Sequence, residues 1–283
     1  MRIIKIFLFS LIGMIAVASA VLAYILSSYD HQDYQQLLIN AVDKLSGYTL
    51  SINGSFALQR SASPVLSASG IELHSKMDES SVHIDHFRMQ LTLAPLLDNT
   101  LLINDLLVEN MRVDLQASEA PESSASLLSY FPVPVIEHAV LSHVHFVSEP
   151  GEQLYRLDKL VIAAENRQAP LNIHGAGTVK ERAFKVSGQL GPLADMFAQD
   201  KPYPAHLTAH WEHIQLSIDG TLADPANSEG ISLMAKLNIP EIAEVVASVP
   251  LKGQVQGGFH VSGSFAEPAL SDITLVWTDR SQV

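Results

Sequence analysis

Cysteine is absent from all 283 residues. That absence removes disulfide staples, thiolate zinc sites and cysteine nucleophiles together. Basic side chains are scarce: 17 Lys and Arg stand against 30 Asp and Glu, a net charge of −13, and they are scattered singly. An acidic body without a basic stripe repels phosphate backbones, so no nucleic-acid partner is expected. Charged residues amount to 17%, against about 25% in an ordinary soluble chain, while apolar residues reach 47%. Such a chain is not disordered; it buries a sizeable core or keeps apolar surface for something other than itself. Also missing are a G-x-S-x-G elbow, a phosphate loop, a dinucleotide fingerprint and an H-E-x-x-H pair. No catalytic residue, metal or cofactor is predicted.

The longest uncharged run is at the N-terminus. Arg2 and Lys5 precede 24 residues, Ile6–Tyr29, that carry no charge, and Asp30 and Asp33 follow. As a helix this run spans roughly 36 Å, enough for a hydrocarbon core of about 30 Å. Positive charge on the N-terminal side only places Met1 in the cytoplasm and the body across the membrane. Tyr24 and Tyr29 sit where an interfacial aromatic belt would. Ala18-Ser19-Ala20 is also an acceptable signal-peptide cleavage site. The apolar run continues beyond it through Leu26, which favours an uncleaved anchor, and both readings export the rest.

Tyr34, Leu37, Leu38, Ala41, Val42 and Leu45 recur at helical spacing, with Asp33 to cap the start and Gly47 to end it. Beyond this helix, Asp33–Leu45, the pattern changes to period two. Phe87–Leu93, Met111–Gln116 and His213–Asp219 each put apolar residues on one face and polar residues on the other. Antiparallel strands with one apolar face read this way. Leu154–Ile162 is a weaker strand, apolar on both faces, and Leu193–Gln199 and Ile242–Ser248 are short helical patches. Residues 117–136, rich in Ser, Ala, Glu and Pro, read as a linker. The expected organisation is therefore a tip and anchor at 1–29, a helix and first β module at 30–116, the linker, and a second β module at 137–283.

One short pattern recurs. Ser51–Ala57, Lys185–Pro192, Ser217–Pro225 and His260–Pro268 each run from a strand through Gly54, Gly188, Gly220 or Gly263 to a small polar and then an apolar residue, three of them ending in Pro. The expectation is a strand bent at each glycine and then ended, so the four are predicted turn glycines.

Histidine, at 12 copies, is the one abundant reactive side chain. His206, His210 and His213 would share a helix face, but the segment from Leu207 alternates as a strand, so metal geometry is not expected. His143 and His145 lack an acidic partner at ligand spacing. Both sets read as solvated strand histidines. The positive signal is instead apolar: many strands carry one apolar face, and no long amphipathic helix exists to cover it. That face must meet a second sheet in a closed β-sandwich, close into a barrel, or remain an open groove that takes an apolar ligand or partner. The residues expected to line it are Phe87, Met89, Leu91, Leu93, Val113, Leu115, Ile214, Leu216 and Ile218.

The order of elements resembles the AsmA family of bacterial envelope proteins. After the membrane segment and helix, Ser46–Gly54 is similar to the family pattern "tGr.l.i.G", with Tyr48 in the place of its Arg, and Pro64–Leu73 is similar to "P.l...gi.l". Leu91–Leu97 with Leu102–Val108, and then Leu216–Pro225, continue the likeness over most of the chain. The resemblance implies a single-pass bacterial inner-membrane protein, N-terminus cytoplasmic and body periplasmic, whose mostly antiparallel curved sheet forms an apolar groove for phospholipid acyl chains. It implies a part in lipid transport, outer-membrane biogenesis and lipid homeostasis of the cell envelope. Members are usually longer, which implies a second module truncated at its C-terminal sheet edge, where other envelope proteins would join. Two alternatives remain: a non-enzymatic scaffold that aids outer-membrane protein assembly by strand pairing, and a hydrolase assembled from scattered acids and histidines.

Overall fold

The computed structural model describes residues 34–45, 48–59, 61, 63–76, 80–92, 94–95, 100–115, 133–148, 152–166, 168–179, 181–195, 201–225, 229–242, 253–264 and 267–278. The expected membrane anchor, Asp33, Gly47 and Leu93 lie outside the described residues, as do most of the two short helical patches. No helix among the described residues is long and apolar enough to cross a membrane.

The protein is mainly β. Among the described residues the helix α1 (Tyr34–Leu45) comes first. Fifteen strands follow: β1 (Tyr48–Ile52), β2 (Phe56–Gln59), β3 (Val65–Ser75), β4 (Ser81–Thr92), β5 (Thr100–Leu115), β6 (Val133–Ile136), β7 (His138–Ser148), β8 (Glu152–Ala163), β9 (Leu171–Val179), β10 (Arg182–Leu190), β11 (Tyr203–Trp211), β12 (Ile214–Asp224), β13 (Glu229–Ile239), β14 (Gln254–Gly263) and β15 (Pro268–Thr278). They form one open, mostly antiparallel order, β1-β3-β4-β5-β7-β8 and onward in sequence to β15, with β2 on β3 and β6 on β5. The closed β-sandwich of two sheets is not what forms.

Two compact units divide after Lys159, within β8. β5 pairs in parallel with β6 and β7, and parallel neighbours need a returning connection of a dozen or more residues between them. The Ser- and Pro-rich stretch therefore joins strands of one unit, and its last residues, Val133–Ile136, are β6 itself. Residues 116–132 lie outside the described residues.

In the first unit α1 lays Leu38 and Val42 against the sheet. Gln35 donates to the Ile52 carbonyl at 3.2 Å. Lys76, just past β3, donates to the Asp43 carboxylate at 2.9 Å and to the Asp43 backbone carbonyl. That hydrogen bond and the ammonium charge hold the Asp43 carboxyl below the usual carboxylate range. The core is the apolar face of β3, β4, β5 and β7, where Ile84, Met89, Leu91, Ile103, Val108 and Val144 are fully buried.

Along β3, β4 and β7 the buried positions advance by two residues, then once by three; β5 has that step too, and an earlier one from Ile103 to Leu106 where its register against β4 shifts. The step falls at Ala68 to Ile71, Ile84 to Phe87, Val108 to Met111 and Leu141 to Val144. The skipped residues Gly70, Asp85, Asn110 and His143 lie opposite one another, a line across four adjacent strands. Three of them have left-handed backbone, Gly70 at φ 59° and Asn110 and His143 at φ 53°. The registers stay one to one across this line, so all four strands change phase together and the same apolar face continues on either side of it.

The second unit, β9 to β15, is a run of antiparallel hairpins with matched registers. Gly188 and Gly220, predicted as turns, stand inside β10 and β12 instead. A Cβ at Gly188 would sit 2.0 Å from the His206 carbonyl oxygen, and one at Gly220 would sit 2.1 Å from that of Ser232. They are glycines because the neighbouring strand occupies the side-chain position. Gly263 does close β14 into a tight corner at φ 93°, with the Ser264 amide donating to the Glu267 carbonyl at 3.4 Å. Gly54 lies between β1 and β2, where its amide donates to the Ser69 carbonyl at 3.1 Å.

Candidate functional site

Strand pairing in the second unit sorts its side chains onto two faces. Opposed residues in an antiparallel pair share a face, so registers carry one row across several strands. One row is Val186, Ala209, Leu216, Leu237 and Leu275, with Gly257 between the last two. Another is Leu190, Ala205, Leu233, Val261 and Leu270, with Gly220 among them. A third links Phe184, Trp211 and Ile214, and in its continuation Ile239, Val255 and Trp277. Every row on this face is apolar.

The opposite face is hydrophilic and pairs with itself. His206 and Asp219 meet at 2.8 Å, Gln189 donates to Asn172 at 2.8 Å, and Ser232 lies 3.2 Å from the His260 imidazole. Water solvates this face. Among its described residues the second unit holds no second sheet, and its helical residues are the 3-10 turn Leu193–Asp195 and Ile242.

Burial is graded along the apolar face. At one end Tyr203, Ala205, Leu222 and Ile231 pack into a buried cluster with Leu190, Leu233 and Val261 against it. The Tyr203 hydroxyl donates to the Gly191 carbonyl at 2.6 Å. Burial first, and the nearby Asp195 charge second, push its pKa up to about 12. Toward the other end Ile214, Leu216 and Ile218 are half-buried and Trp211 is exposed. On β15 Leu270, Ile273, Leu275 and Trp277 are 58%, 60%, 65% and 48% exposed. A bulge at Asp272, φ 52°, gives β15 its own three-residue step from Leu270 to Ile273.

The structure thus divides the residues expected to line a groove. Phe87, Met89, Leu91 and Val113 are core residues of the first unit, all buried. Leu115 is described by its backbone in β5 only, paired with Ser148. Ile214, Leu216 and Ile218 share the accessible face of β12 in the second unit. Sequence reading did not name the other residues of this face: Trp211 and Leu237, which pair with Ile214 and Leu216, and beyond them Phe184, Val255 and the apolar side of β15. The alternation Ile273-Thr274-Leu275-Val276-Trp277 was the available signal for the last of these.

The histidines do not converge. His206 and His210 lie on the hydrophilic face of strand β11, His213 lies in the next turn, and His143 occupies the left-handed position of β7. Among the described residues no three His, Asp or Glu side chains are grouped to hold a metal. Asp105 of β5 accepts from Arg88 at 3.3 Å and lies 2.7 Å from His138 Nδ1, a half-exposed polar network on the first unit. No family model matches the chain, and no curated protein matches it in sequence.

Proposed function

We propose that this chain is a membrane-anchored periplasmic protein of AsmA type that binds or guides phospholipid along the apolar face of its second unit. The observation that carries the reading is the set of register-aligned apolar rows around Leu216, left half-buried or exposed while the reverse face is hydrophilic. Apolar surface of that extent on a monomer marks a ligand or interaction site. The mechanism is passive. Side chains such as Leu216 and Leu237 replace the bilayer around acyl methylenes, each worth about 0.8 kcal/mol when buried. In the first unit the corresponding face is closed by its own packing and serves stability.

A photo-reactive benzoylphenylalanine placed at Leu216 or at Gln215 of the full chain, in cells grown with labelled phosphate, tests this. The two positions are adjacent and face opposite sides of β12. Label is expected at position 216 at several times the level at 215; equal label, or none, overturns the reading. A second reading, a scaffold that pairs strands with assembling outer-membrane proteins, draws on β15, which among the described residues pairs with β14 alone and is exposed throughout. It predicts protein adducts from a probe in β15 and no phosphate label at Leu216.

A further inference from the structure

The two tryptophans of the chain stand in one row of the second unit, at the same end of its apolar face, and both are exposed. At that end the Arg182 guanidinium lies 5.9 Å from the centre of the Trp211 ring. Its Nη1 is 3.5 Å from Glu212 Oε2, and both side chains are nearly half exposed. An ion pair so placed adds little to stability. Glu212 is nevertheless held at φ 52° in the two-residue turn between β11 and β12, its amide donating to the Ala183 carbonyl at 3.1 Å, where Asn, Asp or Gly is usual. A cation, an anion and an indole are therefore gathered where the apolar rows meet water. The far end of the same rows is the buried Tyr203–Leu222 cluster. From Ile214 to Leu222 the strand runs about 27 Å, longer than the roughly 15 Å of hydrocarbon in one leaflet.

Resting on the lipid reading above, we propose that Arg182, Trp211 and Glu212 seat the headgroup of a zwitterionic aminophospholipid, with its acyl chains along the rows toward Tyr203. The guanidinium takes the phosphate in its planar fork. The Glu212 carboxylate accepts from the primary ammonium, and Trp211 covers the glycerol and first methylenes, the place an indole takes at a membrane surface. Charge selects the class. A purely anionic headgroup would face Glu212, the adjacent exposed Glu181 and a chain of net charge −13. A choline headgroup has no N–H to donate to the carboxylate.

The test presents the purified full chain, in detergent micelles, with equimolar phosphatidylethanolamine and phosphatidylglycerol of identical acyl chains, and reads the adduct ratio by native mass spectrometry. The wild type is expected to favour phosphatidylethanolamine about tenfold, the scale of one charge-assisted hydrogen bond. Glu212→Gln should bring the ratio close to one, and Arg182→Gln should lower both adducts about tenfold. Lys185→Gln, on the hydrophilic face, should change neither. Equal binding by the wild type, or a preference that survives Glu212→Gln in a folded protein, overturns the headgroup seat and leaves the lipid reading standing. No adduct with either lipid overturns the lipid reading and the seat with it.

Discussion

Met89 of β4 and Leu216 of β12 occupy equivalent places in their own strands: each lies on the apolar side of a regular two-residue alternation, between apolar cross-strand partners. Met89, opposite Leu66 and Leu106, is 0% exposed. Leu216, opposite Ala209 and Leu237, is half-buried. The two units also differ in phase. The strands of the first unit change phase together at Gly70, Asp85, Asn110 and His143. Strands β9 to β14 keep a single phase, and among the described pairs of β9 to β15 the register shifts only between β14 and β15. Alternation states which side of a strand is apolar; it does not state what covers that side.

The largest effect that sharpens this contrast is a charge on each face. Met89→Asp buries an unpaired carboxylate and should cost more than about 4 kcal/mol, enough to prevent folding. Leu216→Asp should cost no more than about 1–2 kcal/mol, since the new side chain reaches water, while removing the phosphate label near it. Urea titration followed by circular dichroism checks both. Equal losses would mean that the two faces are equally closed.

A middle-sized effect concerns the one part of the second unit that is closed. The pKa of Tyr203 is raised from about 10 to about 12 in the folded state, so between those values the folded protein holds a proton that the unfolded chain has released. Its contribution is complete below about pH 10 and is lost as pH rises through 12, on the order of 2–3 kcal/mol in all. Thermal melts between pH 9 and 12 should show the decline, and Tyr203→Phe should flatten it while costing about 1 kcal/mol at neutral pH for the lost bond to Gly191. A decline of equal slope in the variant would assign it to other groups. The smallest effect is at the edge: Leu275→Ser on β15 should alter the melting free energy by less than about 0.5 kcal/mol, because 65% of that residue is already exposed. A larger loss would show that β15 is covered in solution.

How much of this was legible depended on phase. Helix α1 was readable from Tyr34 through Leu45 because its periodicity is unbroken. So was β12, whose alternation from Ile214 contains no step. In β4 and β5 the pattern was readable only from Phe87 and Met111 onward, the first buried residues beyond the phase changes at Asp85 and Asn110. The preceding half of β4, Ser81–Ile84, alternates in the opposite phase and was passed over; the preceding part of β5 does not alternate, since the adjacent Leu102 and Ile103 are both buried, and Leu102–Val108 was read only through its likeness to a family pattern. The parallel pairing of β5 with β7 was not readable, since periodicity does not record direction. Nor was the division after Lys159, which leaves no mark in composition. Of the candidate site, Ile214, Leu216 and Ile218 were readable; Arg182 and Glu212 were not, because they come together only through the register of β10 with β11.

The line of phase changes also constrains how this sequence can drift. Deleting Asn110 would give β5 an unbroken alternation from Leu106 to Val113, a better strand judged alone. It would then run one residue out of step with β4 on one side and β7 on the other, setting one half of its apolar residues against polar neighbours. The four positions are bound to one another as a spelling rule is: a letter can be replaced, as the Gly, Asp, Asn and His there illustrate, but none can be dropped unless the others go with it.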